Sequence, residues 1–445
     1  MSKMGAEQLH HIVIVGGGAG GLELATKLGD SLGRKGKAVI TLIDKSKTHV
    51  WKPLLHEIAA GSMNPEKHEL VYLAQAHWHH FKFRLGSMDS LDRAKKEISI
   101  APNYDEDGIE VIPRRTIKYD TLVIAVGSTT NDFGVKGARE HSIALDTQDQ
   151  AEKFHRRLHN ALVRAQTQPE PVQAGQLEVV IVGAGATGVE LSAELHNTTR
   201  ELAAYGLDKI DPDRDVKISL IEASDRVLPA LPPKLSNSVD LELRKLRVHL
   251  YMGERVTEVT SKGVQTHSGR FIPSALVVWA AGIKAPDFLS GIDGLETNRI
   301  NQLIVKPSLQ TTLDDNVFAF GDCAACPWVG QGQDATVPPR AQSAHQQASM
   351  LVKTLKYRVA GKTDLPEFTY RDYGSLVNLG SYTTVGNLMG ALSGGSLFIE
   401  GMIARTMYQS LYKLHLMALH GFWSMALQTL ARMIARRTEA HVKLH

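Results

Sequence analysis

The chain has 445 residues, 43% hydrophobic and 22% charged, enough for two or three globular domains. Its net charge of +3 leaves no electrostatic footprint for nucleic acid, and two cysteines exclude a disulfide framework and fit a reducing compartment. The N-terminal MSKMGAEQLHH lacks a charged-then-apolar leader pattern and no run of 18 residues is plainly apolar, so the protein is expected in the cytoplasm or on its surface.

The first element lies in residues 11–25, HIVIVGGGAGGLELA. Four apolar residues run into Gly16-x-Gly18-x-x-Gly21, which predicts a buried parallel strand, a tight turn and a helix N-terminus. The first glycine permits the turn, the second lets the backbone approach a pyrophosphate, and the third lets helix and strand pack closely. The helix start then offers unpaired N–H groups and a partial positive charge to phosphates. A second strand, 38–43, ends in Asp44, well placed to accept from a ribose 2′-OH. These features together predict a dinucleotide site.

Residues 48–55, THVWKPLL, read as a loop whose groups could lie against a flat ring or form an ordinary buried crossover. Alternation and turn signals over 81–112 predict a small antiparallel insertion. YDTLVIAVG (119–127) reads as a strand returning to the parallel sheet and stopping at Gly127, and 166–176, with two prolines and a glycine, as a linker.

The pattern then repeats. VIVGAGATGVELS (180–192) matches residues 13–25 at nine of thirteen positions, with Gly183, Gly185 and Gly188 in the glycine places. The next strand, 217–221, ends in Glu222, and a polar insertion near 205–215 explains its longer distance from Gly188. A carboxylate there accepts from a 2′-OH and repels a 2′-phosphate, which favours NADH over NADPH unless Arg226 swings in. The closing strand ALVVWAAG (275–282) echoes the first and ends at Gly282, so a whole domain, spanning about 177–303, is duplicated. Two dinucleotide sites in one chain imply that two cofactors meet and exchange electrons. Glu190 and Glu23 stand two residues past the third glycine of each repeat, where a carboxylate stabilises a helix by ~0.3–1 kcal/mol.

NVFAFGDCAAC (316–326) predicts a short buried strand ending at Gly321-Asp322. Asp322 can hydrogen-bond a sugar-alcohol chain or cap a following helix. Cys323 and Cys326 form a lone CxxC, too few ligands for structural zinc, so no metal site is expected. Gln342 and Gln346 lie one helical turn apart on one face. From about Ser396 the character changes. Glycines at 386, 390, 394 and 395 read as a flexible approach, and 400–419 and 422–437 as two helices broken at Gly421. In the second, Phe422, Met425, Ala426, Leu430, Met433 and Ile434 recur at helical spacing, with Gln428, Arg432 and Arg436 largely on other faces. Residues 401–445 hold six Lys or Arg against one acid, Glu439. An apolar stripe with Trp423 and a basic face suits a helix lying in a bilayer interface; a dimerisation or core-packing pair is the compatible alternative.

Two GxGxxG turns with Asp44 and Glu222, followed by FAFGD, resemble the flavoproteins with two dinucleotide-binding domains. HVWKPLLHEIA (49–59), GATGVELSAELHN (185–197), WAAGIKAPDFL (279–289) and PPRAQSAHQQA (338–348) more closely resemble type II NADH:quinone oxidoreductase, particularly its proteobacterial branch. The resemblance implies an α/β fold of two Rossmann-like domains: an FAD domain over 1–170 and 304–385, interrupted by an NADH domain over 171–303, with helices for membrane association or dimerisation over 386–445. It places FAD against Gly16, Gly18, Gly21, Asp44, Lys45, Lys52, Gly127, Gly321, Asp322 and Gln342. It places NADH against Gly183, Gly185, Gly188, Glu190, Glu222 and Gly282. Hydride passes from NADH to the flavin and two electrons go on to quinone without proton pumping, with Glu190, Gln342 and Gln346 as the reacting-site residues. The implied partners are a quinone, an anionic membrane surface and a second copy of the chain, on the cytoplasmic face of a bacterial inner membrane. The competing readings are a disulfide reductase using Cys323 and Cys326, and an NADH-sensing flavoprotein.

Overall fold

The computed structural model describes residues 9–332, 334–380, 382–390 and 395–435. The chain divides into two compact units: Met1–Trp51 with Glu69–Thr129 and Ile283–Arg371, and Lys52–His68 with Thr130–Gly282 and Asp372–His445.

The first unit is built on a five-stranded parallel sheet in the order Val317–Ala319, Thr121–Ile124, His10–Val15, Ala38–Asp44, Lys82–Leu85. Its central strands are apolar without alternation because both faces are covered; Ile12, Val13, Ile14 and Leu122 are wholly buried. The second unit repeats this plan in the order Ile143–Ala144, Leu276–Trp279, Glu178–Val182, Lys217–Glu222, His249–Met252, again all parallel. Each sheet has an antiparallel three-stranded meander inserted before its closing strand. In the first unit this is Met88–Asp92, Glu97–Ile100 and Arg115–Lys118; in the second it is Val256–Thr260, Gly263–Thr266 and Phe271–Pro273. Duplication of a whole domain is therefore visible strand by strand.

Two expectations need correction, and the compact units have bounds of their own. Lys82–Leu85 is not part of the antiparallel insertion but the fifth strand of the parallel sheet, because its alternate residues Phe83 and Leu85 pair beside Leu42 and Asp44. The compact units do not break at 170 and 303. Residues 130–170 pack in the second unit, where Ile143–Ala144 pairs with the closing strand and the helix Gln148–Thr167 packs on Leu55–Ala60. Residues 283–303 stay in the first, where Arg93 binds Asp293 through backbone and side chain. A two-residue strand carries no periodicity, so its sheet is unreadable from sequence.

Gly386, Gly390 and Gly395 are the second case: they are not a flexible approach, while Gly394 lies outside the described residues. Gly374–Leu379, Thr383–Gly390 and Gly395–Glu400 form an antiparallel sheet. A Cβ at Gly386 would fall 2.4 Å from a Leu376 methyl, so glycine there permits close packing rather than motion. The tail helices follow as Met402–His420 and Phe422–Ala435, with the break at Gly421 (φ +78°).

Candidate active site

The two glycine turns have nearly the same geometry. Gly16 and Gly183 have φ of +103° and +105°, and a Cβ on either would collide with the closing strand's continuation, at Ala125 and Ala281. A Cβ on Gly21 or Gly188 would strike the carbonyl of Gly16 or Gly183 at 1.9 and 2.0 Å, so the third glycine sets the helix-to-strand distance. Gly18 and Gly185 cap the helices Ala19–Leu28 and Ala186–Ala204, and a Cβ on either meets nothing within 4 Å. That open side leaves room for a pyrophosphate beside the orphan N–H groups of a first helical turn. Both turns fit a dinucleotide.

The acidic partners are held in the same way. Asp44 accepts from Gly17 N–H at 2.6 Å and from Ser46 N–H at 2.8 Å. Glu222 accepts from Ala184 N–H at 2.8 Å and from Ser224 N–H at 2.9 Å. Burial raises the Asp44 carboxyl above its ordinary range against these two backbone bonds. Arg226 donates to the carbonyls of Pro229 and Leu231, so it is tied to its own loop. Gly127 and Gly282, each three residues beyond its closing strand, have φ of +69° and +65°, and the Phe133 ring covers Gly282. Lys45 is exposed beside Asp44, and Lys52 pairs with Asp146 at 3.3 Å.

Asp322 caps no helix. It lies in the 3-10 turn Gly321–Cys323, with its carboxylate accepting from Ser128 Oγ at 2.8 Å and its carbonyl accepting from Gln302 at 2.9 Å. The next helix begins only at Ala341. Gly321 N–H donates to Gln347 Oε1 at 2.8 Å, so the buried Gln347, not singled out from sequence, ties this helix to the Gly-Asp turn. Gln342 and Gln346 are half-buried on the same helix. Gln346 holds the Arg371 backbone in both directions, donating to its carbonyl at 2.8 Å and accepting from its N–H at 3.0 Å.

Glu190 is 6% exposed. Its Oε1 accepts from Asn378 N–H at 3.0 Å, and Oε2 lies 3.6 Å from His56 Nδ1. Burial, aided by the nearby Glu57 and Glu194 charges, pushes its carboxyl up to about 8 against the Asn378 bond. His56 is itself driven down to about 4 by burial and stays neutral. At neutral pH Glu190 thus carries a proton.

Cys323 and Cys326 are free, buried thiols, pushed up to about 12 by burial. Cys323 Sγ donates to Phe320 and Ile124 carbonyls. A thiol so protonated is a poor nucleophile, and the CxxC is part of the core. Among the described residues no group of three His, Cys, Asp or Glu could hold a metal.

In the tail, Trp423 (78% exposed), Leu427 and Leu430 form an exposed apolar stripe at helical spacing, with Phe422, Leu411, Leu414, Met402 and Ile403 also exposed. Ala404, His415, Leu416 and Leu419 turn inward. Arg405 and Lys413 are exposed. The side chains of Gln428, Arg432, Met433 and Ile434, and residues 436–445, lie outside the described part. No helix among the described residues is long and apolar enough to cross a membrane.

Residues 10–348 match the family model of the pyridine nucleotide-disulphide oxidoreductases. The chain is 41% identical to the type II NADH:quinone oxidoreductase of Haemophilus influenzae, over 98% of this chain and all of that one. It is 27% identical to the enzyme of that name from Staphylococcus aureus, covering 86% and 91%. The fold superposes on NDH2 from Plasmodium falciparum in complex with NADH with a TM-score of 0.81, at 18% identity, covering 98% and 100%. The chain belongs to the pyridine nucleotide-disulphide oxidoreductase family, among the type II NADH:quinone oxidoreductases.

Proposed function

We propose that this chain is an FAD-dependent NADH:quinone oxidoreductase of the type II, non-proton-pumping kind. The observation that carries this reading is a pair of open glycine turns in one chain, each with its own anchored carboxylate. FAD, when bound, supplies the redox chemistry, taking hydride from NADH and passing two electrons to quinone. FAD is assigned to the first turn with Gly16, Gly18, Gly21, Asp44, Lys45, Lys52, Gly127, Gly321, Asp322 and Gln342. NADH is assigned to the second, with Gly183, Gly185, Gly188, Glu190, Glu222 and Gly282.

In this reading the chain's own residues bind, orient and hold a proton. Glu222 presents an acceptor to a ribose 2′-OH, and its charge repels a 2′-phosphate. Asp322, fixed by Ser128, offers its second carboxylate oxygen to a polyol chain. Oxidation of NADH by a quinone consumes one proton from solution for each quinol formed. Glu190, protonated at neutral pH, is the group suited to hold it. Gln342 is assigned to the quinone carbonyl, and Gln346 supports the same helix through Arg371.

The exposed apolar stripe of the tail, with Arg405 and Lys413, supports a monotopic anchor on an anionic bilayer, where each cation adds ~1 kcal/mol. That location brings the enzyme to a lipid-soluble quinone, on the cytoplasmic face of a bacterial inner membrane. A homodimer is the assembly proposed with it.

The test is steady-state oxidation of NADH and NADPH by the FAD-loaded protein, with and without a short-chain ubiquinone. Fast quinone-dependent turnover with NADH, and poor turnover with NADPH, is expected. Acceleration by a disulfide substrate instead, abolished in Cys323→Ser, would transfer the reading to the dithiol.

A further inference from the structure

The middle residue of the first glycine turn is held at both ends. Gly17 N–H donates to Asp44, and its carbonyl accepts from the Tyr72 hydroxyl at 2.7 Å and from His49 Nδ1 at 3.0 Å. Both acceptor positions of that oxygen are therefore filled. Tyr72 and His49 are buried, and the Tyr72 ring stacks on Phe83 with centroids 5.0 Å apart. Burial, with the Asp44 charge adding to it, keeps the phenol protonated as a donor. Burial also drives His49 down to about 4, so the imidazole is neutral and donates through Nδ1.

The Gly17 carbonyl and the Gly18 N–H belong to one planar trans peptide and point in opposite directions. Holding the oxygen inward turns the Gly18 N–H away from Tyr72 and His49, at a residue where a Cβ meets nothing within 4 Å. The second repeat solves the same problem differently. There the Ala184 carbonyl accepts from the Leu228 backbone N–H at 2.8 Å, with Leu228 at φ +49°. This difference in donors accounts for a difference in sequence. A Cβ on residue 17 would lie 2.5 Å from the Tyr72 ring, whereas a backbone donor leaves room for Ala184.

We infer that Tyr72 and His49 are positioning residues for the pyrophosphate of a dinucleotide, holding the Gly17–Gly18 peptide with its N–H directed at the ligand. The inference rests on the assignment of FAD to the first turn.

The experiment is FAD release from the holoenzyme, followed by the rise of flavin fluorescence on dilution. Loss of one neutral hydrogen bond is worth about tenfold, so Tyr72→Phe should release FAD about tenfold faster. The KM for NADH of the FAD-saturated variant should stay at the wild-type value. His49→Ala should also release FAD faster, and His49→Asn, whose amide nitrogen can stand where Nδ1 stands, should restore retention. Gly18→Val places a Cβ in the cradle where it meets no protein atom within 4 Å, and separates the two ideas. If Gly18→Val retains FAD like the wild type, the assignment of FAD to the first turn fails. If Gly18→Val loses FAD while Tyr72→Phe and His49→Ala do not, only the positioning role is overturned.

Discussion

Glu23 and Glu190 occupy the same step of the two repeats, two residues past the third glycine, and are held in opposite protonation states. Burial alone would raise both. At Glu23 the hydrogen bonds and charges of His345 and Lys27 outweigh it and hold the carboxyl below its ordinary range. At Glu190 the neighbouring charges are the carboxylates of Glu57 and Glu194, and the pKa climbs to about 8. Duplication kept the residue and reversed its chemistry. An ionised carboxylate stands in one unit, a protonated carboxyl in the other.

The first prediction follows from that contrast. A folded-state pKa raised above the unfolded value makes Glu190 increasingly destabilising as pH rises from the ordinary carboxylate range to about 8. Glu190→Gln should therefore be more stable than the wild type at pH 8 and equal to it near pH 4.5. Each pH unit between is worth up to about 1.4 kcal/mol. Glu23→Gln has the opposite sign: it loses stability at neutral pH, and the loss shrinks as pH falls through the lowered pKa. Urea denaturation at several pH values measures both, and parallel curves for Glu190→Gln and wild type would refute the assignment.

Glu222 should set the coenzyme preference. Glu222→Gln removes the charge that repels a 2′-phosphate and keeps an oxygen for only one of the Ala184 and Ser224 N–H groups, which bond different carboxylate oxygens. The ratio of kcat/KM for NADH over NADPH is expected to fall about tenfold or more, the equivalent of 1.4 kcal/mol. An unchanged ratio would show that another group reads the ribose.

Gln342 and Gln346 should separate kinetically. Gln346→Ala removes both bonds to the Arg371 backbone and should cost about 1–3 kcal/mol of stability with the KM for quinone little changed. Gln342→Ala should raise the KM for quinone. Thermal denaturation and quinone titration, run on both variants, decide between this and a shared role.

Replacing the exposed stripe should detach the protein from lipid. Trp423→Ser with Leu427→Ser removes two large apolar side chains, each worth about 1.5–3 kcal/mol when fully buried. Co-sedimentation with anionic vesicles should fall by at least tenfold, and wild-type binding should weaken as salt rises. Turnover with a water-soluble short-chain quinone should persist. If sedimentation is unaffected, the stripe serves another contact.

By itself the sequence was enough to establish the duplicated glycine turns, their acidic partners, both closing strands and the helical break at Gly421. These are local signals: a glycine forced by a positive φ, a carboxylate at a strand end, an apolar run buried on both faces. Only the tertiary structure decided what lies far apart in sequence. It brought Ser128 to Asp322, His345 to Glu23, Asn378 to Glu190, and Tyr72 to Gly17. It also assigned residues 130–170 to the second unit, committed Gln346 to Arg371, and buried the CxxC thiols beyond use. A protonation state depends on burial and on which charges stand within a few ångströms. No periodicity in the chain encodes either, so two glutamates in matching motifs read alike until the fold gives one of them cations and the other carboxylates.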